Sequence, residues 1–239
     1  MKFLQLLLLL NVLTCNALAL KTSPNNTFPA PKNTDLDTPK DTLKILFEKG
    51  IQEYSHYKYK DAITTWNAIL KEADPKKDSL LIIKTNINLG SSYNALGYHK
   101  SALTYFLKTS KNFEDHHVDS EQYWINNLNI GVCNMSLEQY DIAKHYFDKT
   151  KDFNSYIVFL KKLNLAKWYG LNNQQSQFIA YQDELAKRVA DFPMYIDIWN
   201  EMQLEFFIKW EDRNKVQELL NQLSPSYKQQ NLFIKLLLN

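Results

Sequence analysis

Glycine and proline are scarce in this 239-residue chain, which has five of the first and seven of the second. Pro24, Pro29, Pro31 and Pro39 all fall before the main body, so the rest of the chain has few helix breakers. A body so poor in breakers, and rich in Leu, Lys, Glu, Gln and Ala, reads as helical. Cysteine is rarer still. Of the two, only Cys133 would remain after removal of a leader, which excludes an internal disulfide framework. Its apolar setting, Ile130-Gly131-Val132-Cys133, predicts a buried structural thiol. An excess of either charge is also missing: 28 basic side chains oppose 26 acidic ones, for a net +2. Long-range attraction to nucleic acid or to an anionic membrane is therefore not expected. The short clusters Lys58/Lys60, Lys76/Lys77 and Lys161/Lys162 read as solvated faces. No apolar run of spanning length follows the first twenty residues, so no membrane span is expected in the mature chain.

What is present begins with an address. Residues 1–19 have the three parts of a secretory signal: Lys2, the apolar stretch Phe3 to Leu13, and Ala17-Leu18-Ala19 at the position of a cleavage site. Cleavage after Ala19 is the first reading. The second is lipidation at Cys15, because Val12-Leu13-Thr14-Cys15 resembles a loose bacterial lipoprotein box; Thr14 departs from it. The expected location is accordingly periplasmic or secreted, with a lipid tether under the second reading. Residues 20–38 carry Pro, Thr, Asn, Asp and Ser and read as a disordered linker. Asn25-Asn26-Thr27 is a glycosylation sequon if the source is eukaryotic. Thr38 can cap a helix that Pro39 and Asp41 then suit at its first turn.

From there the chain repeats itself. Ala62 lies twelve residues after Gly50, and Trp66 four further on. Gly90, Ala102 and Phe106 follow the same rule, as do Gly131, Ala143 and Phe147. A glycine inside a helix costs about 1 kcal/mol relative to alanine, so three at one register point to a steric need. Placed on a first helix, with the alanines on a second, they would let the two helices of a hairpin approach closely. The aromatic one turn beyond each alanine would fill the wedge toward the next hairpin.

These residues resemble the tetratricopeptide repeat. Leu89-Gly90-Ser91-Ser92-Tyr93, Gly97-Tyr98, Ala102 and Phe106 look like a nearly complete copy. Ile130-Gly131, Tyr140, Ala143 and Phe147 match a second copy, and Gly50, Tyr59, Ala62, Trp66 and Pro75 a third. The family period is about 34 residues. Here the glycines are 40 and 41 apart, which places inserts around Ala73 to Ser79 and Asn112 to Ser120. Two weaker units follow. Ala166 and Tyr169 take the glycine and tyrosine sites of one, with Phe178 where alanine is expected; Leu204, Phe207, Val216, Leu220 and Pro225 suggest the other. The resemblance implies an all-α, right-handed α-solenoid of about five helix-turn-helix hairpins over residues 39–225. A capping helix over 226–239 would close its end.

In such arrays the first helix of each hairpin lines a concave surface. The resemblance places Asn88, Asn129 and Asn164 at matched sites there, with Tyr54, Ser91, Asn94, Val132, Met135 and Lys167 one turn along. Amides can serve an extended peptide by donation and acceptance alike. The alternative is that they bridge adjacent helices and touch no ligand. Some members hold a C-terminal carboxylate with Lys and Asn, but those sites carry Phe47, Ile51, Ile125 and Asn129 here, so no such clamp is expected. Asp115-His116-His117 with Asp119 and Glu121 is a weak candidate for zinc. Phosphate loops, His-Glu-x-x-His, Cys-x-x-Cys and Gly-x-Ser-x-Gly are missing from the sequence. The expectation is a non-catalytic scaffold without a cofactor, metal or nucleic-acid partner, binding a protein or peptide. The alternative is an envelope-assembly lipoprotein anchored through Cys15.

Overall fold

A computed structural model of the chain describes residues 39–115 and 119–223. The expected leader with Cys15, the linker, the cap at Thr38, His116 and His117, Pro225 and the expected closing helix lie outside the described residues. All regular structure among the described residues is helical. The helices are α1 Pro39–Ser55, α2 Tyr59–Glu72, α3 Ser79–Ala95, α4 His99–Asp115, α5 Glu121–Ser136, α6 Tyr140–Lys149, α7 Ser155–Leu171, α8 Gln175–Ala186, α9 Ile196–Lys209 and α10 Arg213–Gln222. Two 3-10 turns, Val189–Asp191 and Pro193–Tyr195, join α8 to α9. The described residues divide into two compact units, 39–157 and 158–223, with the division inside α7.

One turn form recurs at five places. Lys58, Tyr98, Gln139, Gln174 and Asp212 each donate their backbone N–H to the carbonyl five residues back, at 2.8 to 2.9 Å. The residue before each one, Tyr57, Gly97, Glu138, Asn173 or Glu211, lies at φ between 58° and 81° and donates to the carbonyl three back. This is the Schellman arrangement, which satisfies the last carbonyls of a helix and reverses the chain. The next helix begins within two residues, so α1–α2, α3–α4, α5–α6, α7–α8 and α9–α10 are joined alike.

In the first unit the joined helices are antiparallel and close. Around the first turn, Tyr54 meets Tyr59, Thr65 Oγ1 donates to Glu53 at 2.6 Å, and the Trp66 ring lies against Phe47 at 5.3 Å between centroids. Each pair also packs on the next. Trp66 joins Leu43, Phe47, Ala62, Ile69 and Leu89 in one apolar cluster, and its Nε1 donates to Ser92 Oγ at 3.3 Å. Phe106 joins Ala102, Phe113, Ile130 and Cys133 in the next. Helices α3 and α5 are buried along most of their length, while α2, α4 and α6 bury only a stripe, as amphipathic outer helices do. This neighbour-on-neighbour packing is that of a helical repeat.

The connection 73–78 falls where the first insert was expected. The second region differs, because α4 runs on through Asp115 and takes up half of it. Phe113 is the reason: it is buried and meets Tyr123 of α5 edge-on at 5.6 Å, which extends the helix by a turn. In the second unit, Phe178 of α8 is fully buried against Phe206, Phe207 and Trp210. Phe159 packs on Phe192 and Tyr195 at the other end.

Candidate functional site

The small residues of the repeated register sit where helices touch. A Cβ on Gly50 would lie 2.6 Å from the Trp66 ring, and one on Gly90 2.6 Å from Phe106; one on Gly131 would run into Phe147. Ala62, Ala102 and Ala143 are fully buried. A fourth glycine, Gly170, escaped the register. Its Cβ would meet Phe206 at 2.5 Å, a ring on α9 rather than on the adjoining α8. Ala166, the residue expected at the small site, is also buried but lies one turn earlier.

The candidate groove residues are held largely inside the two units. Tyr54 is half-buried; Asn88, Ser91 and Asn94 of α3, Asn129, Val132 and Met135 of α5, and Asn164 and Lys167 of α7 are buried. Asn94 links three helices: its Oδ1 accepts from His99 Nδ1 of α4 at 2.7 Å and from Cys133 Sγ of α5 at 3.5 Å. That makes Asn94 a bridge between helices and shows α3 and α5 as neighbours. Burial holds the His99 imidazole below its usual pKa. The other amides are less fully bonded. Asn164 Nδ2 donates to the Leu160 carbonyl at 2.9 Å, yet its Oδ1 has no partner, and neither has Nδ2 of Asn129.

Sequence reasoning did not single out the other buried polar groups of the same helices. Asn86 and Asn127 stand four residues before Gly90 and Gly131. Asn86 lacks a partner at Oδ1 and Asn127 at both amide atoms. Asn126 Nδ2 donates to the Phe106 carbonyl at 2.9 Å, tying α5 to α4, and leaves its Oδ1 unmet. In the second unit Gln182 donates to Gln203 at 2.7 Å, and Glu205 is buried with Oε2 unbonded. Burial pushes the Glu205 carboxyl up; Lys167 and Lys209 oppose this and Glu201 adds to it.

Of the acidic residues near the second insert, Asp119 accepts from Trp124 Nε1 at 2.7 Å and from Lys151 Nζ at 2.8 Å. The Lys151 bond, then the Trp124 bond, holds its carboxyl below the usual range. Glu121 accepts from Asn154 at 3.3 Å. Both carboxylates thus fasten the start of α5 to the 150–154 segment. Among the described residues no three His, Cys, Asp or Glu side chains converge as a metal site, and no helix is long and apolar enough to cross a membrane. No protein-family model matches the chain, and no curated protein matches it in sequence.

Proposed function

We propose that this chain is an exported, non-catalytic scaffold of the tetratricopeptide type that holds a partner polypeptide along the first helices of its hairpins. In this reading the five like turns mark five hairpins of a right-handed α-solenoid. The observation that carries the binding reading is the set of buried amides on α3, α5 and α7. Asn88, Asn129 and Asn164 hold one position in three hairpins, and Asn129 Nδ2 and Asn164 Oδ1 have unspent bonding capacity. Buried amides in folded chains are normally bonded, and a peptide backbone supplies both a donor and an acceptor. Phe47 is packed on Trp66 and Ile125 is buried, so a partner would be gripped through its chain rather than through a terminal carboxylate.

The test is photocrosslinking in the native host, with benzoylphenylalanine at Tyr54 and at Met135. The exposed Thr64 and Thr104 of the outer helices serve as controls. Adducts to one partner from the first two positions and none from the controls support the reading. Equal labelling from all four, or none from any, ends it. Fatty-acid labelling of the wild type against Cys15→Ala reads whether the exported form is tethered.

A further inference from the structure

Within the second unit α7 and α9 lie side by side and run the same way. Phe159 meets Tyr195, just before α9, at 5.6 Å between centroids, and Gly170 meets Phe206. Lys209 Nζ donates to the carbonyls of Gly170 and Leu171 at 3.2 and 3.3 Å. Lys167 of α7 and Glu205 of α9 each lie one turn before the Lys209–Leu171 contact, and each is only 4% exposed. A buried charge is expensive unless it is paired and hydrogen-bonded. Glu205 Oε2 has no hydrogen-bond partner, and Lys209 is occupied at the end of α7. Lys167 and Glu205 therefore offer an ammonium donor and a carboxylate acceptor near one another, with no net charge between them.

We propose that Lys167 and Glu205 form a subsite for an uncharged amide of a bound polypeptide, its N–H donating to Glu205 and its oxygen accepting from Lys167. This rests on the partner-binding reading above and specifies the chemistry the partner presents. A cationic side chain would gain at Glu205 and be repelled at Lys167; an anionic one would do the reverse. An amide carries one acceptor oxygen and at least one N–H and brings no charge, so it completes both groups at once.

The test is an NMR titration of the full 15N-labelled chain with four probes at millimolar concentration: propanamide, N-methylacetamide, guanidinium chloride and sodium acetate. The expected result is saturable movement of the Lys167 and Glu205 backbone signals with an amide and none with either salt beyond that of sodium chloride. A response to propanamide alone assigns the subsite to an Asn or Gln side chain; a response to N-methylacetamide assigns it to the main chain. Glu205→Gln and Lys167→Met should each weaken amide binding about tenfold, the size of one hydrogen bond to a charged group. The exchanged pair, Lys167→Glu with Glu205→Lys, keeps the neutral couple and should restore binding if either single variant is too unstable to titrate. No saturable amide response, a preference for guanidinium or acetate, or binding unchanged in the variants overturns the proposal. Any of these leaves the scaffold reading standing, whereas groove crosslinks that find no partner while amide shifts persist would sink that reading instead.

Discussion

A methyl group added at Gly90 would arrive 2.6 Å from the Phe106 ring, and that ring is itself locked among Ala102, Ile130 and Cys133. Two effects compete. Alanine raises helix propensity by about 1 kcal/mol, while overpacking a filled contact costs about 1–3 kcal/mol. Because a buried aromatic ring cannot yield as a flexible chain end would, overpacking wins, and Gly90→Ala should lower stability in urea by about 1 kcal/mol. Adding Phe106→Leu should recover part of that loss; a single variant more stable than wild type would refute the packing argument. Glu205 presents a different conflict. Burial makes it easier to protonate in the folded chain than in the unfolded one. Its favourable contribution is therefore complete below the ordinary glutamate pKa of about 4.3, and is lost as pH climbs through the raised value. Glu205→Gln does not titrate. Thermal melts at about pH 4, 6 and 8 should show wild type falling progressively behind Glu205→Gln. A gap that stays constant or closes would show that the carboxylate is as well accommodated folded as unfolded.

At the scale of the element, the five reversals share one backbone but not one residue. Gly97, at φ 81°, has no neighbour within 4 Å of where a Cβ would stand, so space is no constraint there and conformation is. The left-handed region costs an ordinary residue about 1–2 kcal/mol, and Glu138 takes it at φ 60°. Glu138→Gly should thus stabilise the chain by about 0.5–1 kcal/mol, after the greater freedom of glycine in the unfolded chain is subtracted. Gly97→Ala should destabilise it by a similar amount. Paired denaturant curves for the two changes check the sign of each. Helix starts differ in the same way. Asp212 caps α10 by accepting from the Lys215 N–H at 3.0 Å, whereas α2, α6 and α8 begin without a side-chain cap. Asp212→Ala should therefore cost about 1 kcal/mol, read as faster hydrogen exchange across α10. Of these turns Gly97 and, more weakly, Asn173 carry a residue suited to the left-handed backbone. Tyr57, Glu138 and Glu211 reach the same conformation because the helices on either side hold it, and nothing in their identity reveals that.

Over the whole molecule, legibility followed sequence distance. The helical class was readable from the scarcity of breakers. The contacts of Gly50, Gly90 and Gly131 were readable because each partner ring lies sixteen residues on, inside one helix pair, so a local period exposes it. Gly170 meets Phe206 across an intervening helix, thirty-six residues on and only once, and no period marks it. Likewise Lys167 was nameable by register, but its buried neighbour Glu205 lay in a unit too degenerate to align with assurance. The same locality bears on how the first unit stores its stability. Trp66 reaches forward to Ser92 at 3.3 Å, and Asn126 reaches back to the Phe106 carbonyl at 2.9 Å, so each bond joins one helix pair to the next. In such a stack stability is close to a sum of neighbour terms. Trp66→Phe and Ser92→Ala act on one bond, and their combined effect should depart from additivity by about 0.5–1 kcal/mol. Trp66→Phe and Asn126→Ala act on different junctions, and their effects should add to within about 0.3–0.5 kcal/mol. Urea denaturation of the two double-variant cycles separates these outcomes. Equal coupling in both would mean that residues 39–157 behave as one undivided core, and that the repeated contacts organise the packing without partitioning its energy.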